Sequence, residues 1–121
     1  SSLEYSKIIR LEEMYLITAE AAAHNNDWNL CNSMLNSLRS RAGLSELEIL
    51  DKTVALAKIK QERRVELFCE FGHRFYDLKR LTKLHVLSET KPNWQTYFDK
   101  LPLPEAELQL NPNLQPQNVG Y

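Results

Sequence analysis

The chain has 121 residues, enough for one small domain that buries about two-thirds of its unfolded surface around a single core. Fifteen basic and sixteen acidic residues give a formal net charge of −1, so the concentrated positive surface that nucleic-acid binding requires is missing. No apolar run is long enough to span a membrane, and no signal peptide is visible. Because the first residue is not Met, we expect the chain to be a piece of a longer protein.

A helical hairpin is predicted in the first third of the chain. Apolar residues at spacings of three and four indicate a first helix from Ile8 to about His24, and Asp27 is a suitable N-cap for a second helix. Gly43, which follows two arginines, is a suitable helix stop. The apolar face of the second helix carries Trp28, Cys31, Leu35 and Leu38.

Small residues lie where these two helices would approach each other. Ala19 in the first helix and Cys31 in the second are followed by the larger Leu35 and Leu38, a spacing typical of a tetratricopeptide hairpin. Only one such unit can be counted, so we expect the hairpin to continue an array or to be covered by the C-terminal tail.

The two cysteines, Cys31 and Cys69, lie inside helical patterns and lack CxxC spacing. We predict two buried free thiols, with a disulfide as the alternative.

A third helix is predicted from a Thr53 cap to about Phe71, where Gly72 breaks the pattern. A shorter helical segment follows, from His73 to about Leu84. No window alternates with period two for long enough to predict a strand, so the predicted fold class is all-α.

The last thirty residues differ in character from the rest. Five prolines indicate an extended, turn-rich tail over about 92–121, with Pro104 at the first turn of a brief helix over 105–110. We predict one domain, 1–121, with a helical core at about 8–84. The tail should be held against the helices by its apolar residues Trp94, Tyr97, Phe98, Leu101, Leu103, Leu108, Leu110 and Leu114.

The third helix carries an acidic stripe, since Glu62, Glu66 and Glu70 are spaced four residues apart. Apolar residues fill most of its remaining circumference, which predicts a buried helix whose carboxylates need cations. We therefore predict a network of arginine–carboxylate pairs, with Phe75, Tyr76 and Leu78 packed inwards. The candidate cations are Arg39, Arg41, Arg63, Arg64, Arg74, Lys79 and Arg80.

Reactive sites are weaker interpretations of the same residues. Glu70 and His73 have the Glu-x-x-His spacing of di-iron bundles, but no second such pair exists and Gly72 interrupts the helix. His73 beside Asp77 could be a general base, yet no plausible nucleophile is near in sequence. Three glycines are too few for a phosphate-binding loop. The sequence favours a structural network, with no catalytic, metal or cofactor-binding residue.

Four ordered blocks of the sequence resemble the SusD/RagB family. They are IRLEEMYLITAEAAA (9–23), LNSLRSRAGL (35–44), IKQERRVELFCEFGHRFYDLKR (59–80) and LPLPEAELQLNPNLQPQNVGY (101–121), in the order and approximate spacing of the C-terminal part of that family. Together they cover nearly the whole chain, and their order is more specific than any single block.

The resemblance implies a function as well as a fold. Members of this family are outer-membrane lipoproteins on the surface of Bacteroidetes-type bacteria that bind glycans or other nutrients and cap a SusC-like TonB-dependent transporter, without catalysis. It implies a mainly helical fold with tetratricopeptide-like hairpins. Membrane attachment would be through a lipid anchor on an N-terminal part that this chain lacks. The alternative is a helical-repeat adapter that binds another protein, and a carboxylate metalloenzyme is third.

One residue stands out as a candidate for ligand contact. If aromatic platforms bind sugar rings here, as the resemblance implies, Trp94 in the polar loop KPNWQTYFDK is the best placed. The competing interpretation is that Trp94, with Tyr97 and Phe98, only holds the tail in place. Trp28 lies on the core face of its helix and is not a candidate.

Overall fold

The structure, a computed structural model, describes residues 8–121. Its α-helices are α1 (Leu11–His24), α2 (Trp28–Arg41), α3 (Lys52–Glu66), α4 (His73–Arg80) and α5 (Glu105–Leu110). Short 3₁₀ helices span Leu84–Glu89, Thr96–Asp99 and Pro112–Leu114. No residue in 8–121 belongs to a strand, and the all-α prediction is confirmed. No helix in this range has the length and apolarity to cross a bilayer.

The chain divides into two compact units, one ending at Arg74 and the other covering Phe75–Tyr121. The prediction that residues 1–121 form one domain stays a prediction.

The first unit is built on α1, which packs against both α2 and α3. Alanines on α1 allow α2 and α3 to approach it closely. The predicted tetratricopeptide-like hairpin is confirmed. Trp28 is half-buried against this core, as its helical face predicts. The fully covered core residues are Leu16, Ala19, Ala22, Ala23, Cys31, Leu35, Leu38, Ile49, Ala55 and Ile59.

The hairpin helices end in left-handed caps. Asn26 (φ 59°) follows α1, and Asp27 then accepts a hydrogen bond from the Leu30 N–H at 3.1 Å to begin α2. Gly43 (φ 70°) follows α2, where the Leu44 N–H donates to the Arg39 carbonyl at 2.8 Å. Both the Asp27 cap and the Gly43 stop are confirmed.

The third helix differs from its prediction at both ends. Asp51, and not Thr53, caps it by accepting from the Val54 N–H at 2.9 Å. The helix ends at Glu66, five residues early, because Cys69 (φ 59°) and Phe71 (φ 40°) are left-handed like Gly72. Side chains with a Cβ rarely adopt that conformation, so the sequence pattern signalled only the glycine.

Burial predictions around this turn were partly wrong. Cys31 is buried and burial raises its thiol pKa, but Cys69 is exposed, so the pair is not two buried thiols. Val65, Phe68 and Phe71 are each at least 60% exposed, so α3 is not buried all round. Only its α1-facing side, with Ala55 and Ile59, is covered.

Helix α1 also begins later than predicted, at Leu11 and not at Ile8. Arg10 is the N-cap residue and is extended, with φ −120° and ψ 143°, and its guanidinium binds Glu66 and Glu70.

The second unit contains most of α4, α5 and the proline-rich segment. Helix α4 ends at Arg80 and not near Leu84, since Thr82 (φ 53°) takes a left-handed conformation and the Lys83 N–H donates to the Leu78 carbonyl at 2.7 Å. Helix α5 has the predicted bounds, with Pro104 as its N-cap residue.

The end of the chain is tied back onto the preceding segment. The Gln117 amide bonds both the N–H and the carbonyl of Leu103, at 2.8 and 2.9 Å, and the Tyr121 hydroxyl donates to the Lys100 carbonyl at 2.9 Å. A Cβ on Gly120 would lie 2.3 Å from the Tyr97 ring, so only glycine fits at this close approach.

Apolar packing in this unit is selective. The inward packing predicted for Leu78 is confirmed, but Tyr76 is 64% exposed, so the same prediction was wrong there. Among the apolar residues of the tail, Leu108 is buried, whereas Leu101 and Leu110 are 81% and 82% exposed.

Candidate functional site

The conspicuous charges of the first unit form an arginine–glutamate cluster, defined here as Arg10, Glu12, Arg39, Arg41, Glu62, Glu66 and Glu70. The ends of three helices supply it: the start of α1, the end of α2 and the end of α3. Cations at the C-terminal end of α2 and acids in the first turn of α1 also suit the two helix dipoles. The cluster therefore joins the three helices at one end of the unit.

Each acid of the predicted stripe has an arginine partner. Arg39 Nη1 lies 2.6 Å from Glu62 Oε1, and Arg41 Nη2 lies 2.7 Å from Glu66 Oε1. Arg10 Nη1 hydrogen-bonds Glu70. The predicted arginine–carboxylate network is confirmed for Arg39 and Arg41.

Arg10 is the member that the sequence interpretation missed. Its guanidinium lies 2.5 Å from Glu66 Oε1, donates to the Glu66 backbone carbonyl at 3.1 Å and also binds Glu70 and Glu12. Partial loss of water lowers its pKa, but hydrogen bonds and charges from these acids outweigh that effect, so its pKa is raised. Arg10 stays charged and holds the turn after α3 against the start of α1.

Not every predicted cation takes part. Within residues 8–121, Arg64, Arg74 and Lys79 form no ion pair with a carboxylate, and Arg80 pairs with Asp77 on its own helix at 3.3 Å. Arg63 is buried, and its Nη2 lies 3.9 Å from Glu13 Oε1.

The weaker chemical interpretations find no support in this geometry. His73 Nδ1 lies 3.7 Å from Glu13, and Cys69 lies in an exposed turn and not in an apolar helix. Glu70 is bound by the Arg10 cation, which would repel a metal ion at the same carboxylate. In the described part of the chain, no three His, Cys, Asp or Glu side chains converge on a possible metal position.

The cluster borders an open groove of about 700 Å³, lined by Ile9, Arg10, Leu11, Glu12, Arg41, Glu70 and Phe71. Its polar groups already bond each other, and its apolar side chains are exposed. The pKa of Glu12 lies below its ordinary value: a hydrogen bond from its own N–H lowers it most, and the charges of Arg41 and Arg10 lower it further against the opposing loss of water.

A second groove, in the second unit, contains Trp94. It encloses about 470 Å³ and is called the Trp94 groove; its lining residues are Lys79, Thr82, Leu84, His85, Trp94, Thr96 and Asp99. The turn after α4 and the 3₁₀ segments that follow it bring these residues together. The groove thus combines one large aromatic ring with several short polar side chains.

Packing fixes the Trp94 ring on one side. Its centroid lies 5.6 Å from that of Phe98 and 6.3 Å from that of Phe75, both in edge-to-face arrangements. Trp94 is half-buried, so it has both a packed side and an accessible side. Trp94 therefore packs against other aromatic residues and also lines the groove, while its contact with a ligand stays a prediction.

The polar groups of the Trp94 groove are largely unused. The Lys79 ammonium donates to the Asp99 backbone carbonyl and not to its carboxylate. Among the described residues, the side chains of His85, Thr96 and Asp99 have no hydrogen-bond partner. The groove therefore offers donors and an acceptor beside an aromatic face.

Comparison with known proteins identifies relatives of this chain. Residues 2–86 match the SusD family. Two curated proteins of Formosa agariphila are similar to it: SusD-like protein P2 is 36% identical and SusD-like protein P25 is 34% identical, covering 93% and 94% of this chain. The chain spans only about a quarter of the length of these relatives, 25% and 24%.

Solved structures show the same likeness in three dimensions. The crystal structure of a SusD superfamily protein from Bacteroides vulgatus matches with a TM-score of 0.79 at 28% identity, over 93% of this chain and 27% of that one. A SusD-like protein from Bacteroides fragilis matches with a TM-score of 0.75 at 27% identity, over 94% of this chain and 25% of that one. Because family, sequence and fold agree, the chain belongs to the SusD/RagB family.

Proposed function

We propose that this chain is part of a protein that binds a glycan or other nutrient at the surface of the outer membrane, without catalysis. The observation that carries the proposal is its 36% identity, over 93% of the chain, to a SusD-like protein. The protein caps a SusC-like TonB-dependent transporter and is attached to the membrane by a lipid anchor.

A non-catalytic role agrees with the state of the charged groups. The carboxylates that could act as acids, bases or metal ligands are held by arginines in the first unit. Such pairs occupy the acceptor positions of the carboxylate oxygens, which are then not available to a substrate or a metal ion.

We further propose that Trp94 contacts the ligand. The C–H face of a pyranose is apolar and fits a flat indole, while its hydroxyl groups can donate to the Asp99 carboxylate and bond the Thr96 hydroxyl. An ionised carboxylate that accepts from hydroxyl groups makes stronger hydrogen bonds than a neutral acceptor does. The Trp94 groove therefore suits a neutral, hydroxyl-rich ring.

The test is glycan binding by the full-length protein, first on an oligosaccharide panel and then by calorimetry with any ligand found. Replacing a central aromatic anchor costs about 2 kcal/mol, so Trp94→Ala should weaken binding by about 30-fold. Tyr76→Ala is the matched control, since Tyr76 is an exposed aromatic of the same unit outside the groove. Equal affinity of both variants would reject Trp94 as a ligand contact.

The transporter partner has its own test. The full-length protein should co-purify from outer membranes with a large TonB-dependent barrel. A protein that instead bound peptides and ignored every glycan would favour the helical-repeat adapter.

A further inference from the structure

Two asparagines of α2 bind the segment that leads to α3. The Asn36 side chain accepts from the Leu47 N–H at 2.8 Å and donates to the Leu47 carbonyl at 2.9 Å. Four residues earlier, Asn32 bonds both backbone groups of Ile49, at 3.0 and 2.9 Å. Because Asn32 and Asn36 lie on one face of the helix, they hold two alternate residues of the segment.

This arrangement makes residues 46–50 behave as a strand that is paired along one edge. Leu47 is half-buried and Ile49 is buried, while Glu46, Glu48 and Leu50 are exposed. Alternation of burial with period two is the property of an extended chain. The paired edge faces α2.

The opposite edge is open. In an extended chain, successive residues direct their backbone N–H and carbonyl groups to opposite edges. The backbone groups of Glu46, Glu48 and Leu50 therefore point away from the asparagines, and they have no hydrogen-bond partner within residues 8–121. We call this the 46–50 edge.

The side chains beside the 46–50 edge determine what could pair with it. Glu46 and Glu48 place two carboxylates on the exposed face, and Leu50, 68% exposed, adds an apolar contact. A second copy of the same segment would bring like charges together across the strands, which is unfavourable. A strand that carries lysine or arginine opposite the two glutamates would be complementary.

We propose that the 46–50 edge binds an extended, basic segment of a partner protein, which adds to it as a β-strand. Main-chain hydrogen bonds to Glu46, Glu48 and Leu50 would supply affinity, and the glutamates would select the cationic partner. Proteins often protect the open edge of a strand from pairing with a proline or a lysine. Residues 44–51 contain neither. This interaction goes beyond the proposed nutrient binding and involves neither groove.

The test uses the full-length protein and the peptide acetyl-TKVKVKT-amide, followed by NMR and by fluorescence anisotropy of a labelled version. The expected result is saturable binding, with slower hydrogen exchange at the amides of Glu46, Glu48 and Leu50. A matched peptide, N-methylated at alternate residues along its pairing edge, keeps the charge but loses the donors, so it should bind at least tenfold more weakly.

Two variants separate backbone pairing from charge. Glu48→Pro removes an N–H that has no partner within residues 8–121, and it favours an extended Leu47. It should therefore keep the fold and lose at least tenfold in affinity. Glu48→Gln keeps the backbone donor and should bind more weakly, with a smaller dependence on salt. Both variants should bind the glycan like the unmodified protein.

Three results would overturn the proposal. The first is equal binding of the N-methylated peptide, and the second is no saturable binding at millimolar peptide. The third is protection of all three amides from exchange before peptide is added, which would show that the protein's own chain covers the edge. None of these results bears on glycan binding, so failure of this proposal and failure of the nutrient-binding proposal are distinguishable.

Discussion

The arginine–glutamate cluster and the Trp94 groove differ in how many of their polar groups are already bonded. In the cluster, each glutamate of the predicted stripe lies against an arginine. In the Trp94 groove, the side chains of His85, Thr96 and Asp99 have no partner among the described residues. The dense charges of the first unit therefore form a structural joint, and we propose the ligand site where the polar side chains have no partner among the described residues.

The largest expected effect comes from removing Arg10. Arg10→Met removes the cation that Glu66 and Glu70 share, with Arg41 still in contact with Glu66, and should lower the free energy of unfolding by about 1–3 kcal/mol. Chemical denaturation of the full-length protein measures this loss. Arg64→Met, an exposed arginine without an ion pair in the described residues, is the control and should change stability by less than about 0.5 kcal/mol. Similar stability of both variants would contradict a structural role for the cluster.

A smaller effect, on affinity alone, is expected at Asp99. Asp99→Asn keeps the shape of the side chain and the backbone carbonyl that Lys79 bonds, but removes the charge of the carboxylate that we propose as an acceptor for ligand hydroxyls. Glycan affinity should fall about tenfold, with no loss of stability. Calorimetry and a denaturation curve on the same sample check both statements. Unchanged affinity would exclude Asp99 from the site.

The smallest effect concerns the pH dependence of stability. The pKa of Glu12 in the folded protein lies below its ordinary value of 4.5, so the folded state binds this proton less readily than the unfolded state. The stabilisation from Glu12 is then complete above pH 4.5 and is lost as the pH falls through the lowered pKa.

Glu12→Gln should therefore make the loss of stability below pH 4.5 shallower, as followed by denaturation at a series of pH values. Glu107→Gln, at an exposed carboxylate without an ion pair in the described residues, is the comparison variant. The same slope in both variants would contradict the lowered pKa of Glu12.

Local signals predicted most of the helices, because their causes lie within a few residues. Asp27 caps α2 and Gly43 ends it, as expected from their own chemistry. The end of α3 was not predictable in this way, since Cys69 and Phe71 take a left-handed conformation that their residue types disfavour. Contacts distant in sequence, such as Arg10 with Glu66, hold that turn.

The candidate sites show the same contrast between causes that are local in the sequence and causes that are distant. The acidic stripe predicted that arginines would gather, but not that Arg10, 56 residues before Glu66, would be central. Trp94 was selected from its residue type and stays a prediction as a ligand contact. The polar lining of its groove arises from residues 79–99, which fold onto one another. The hydrogen-bonded segment 46–50 has a signal in the sequence. Asn32 and Asn36 lie four residues apart on α2, and the apolar Leu47 and Ile49 alternate with polar residues after it.

Hydrogen exchange of the full-length protein, with and without a bound oligosaccharide, compares the two regions most directly. We expect slower exchange on ligand binding in peptides covering residues 79–99, around the Trp94 groove, and no change in peptides covering 62–71. Protection of 62–71 with no change at 79–99 would place the ligand at the arginine–glutamate cluster and would rule out the Trp94 groove as the ligand site.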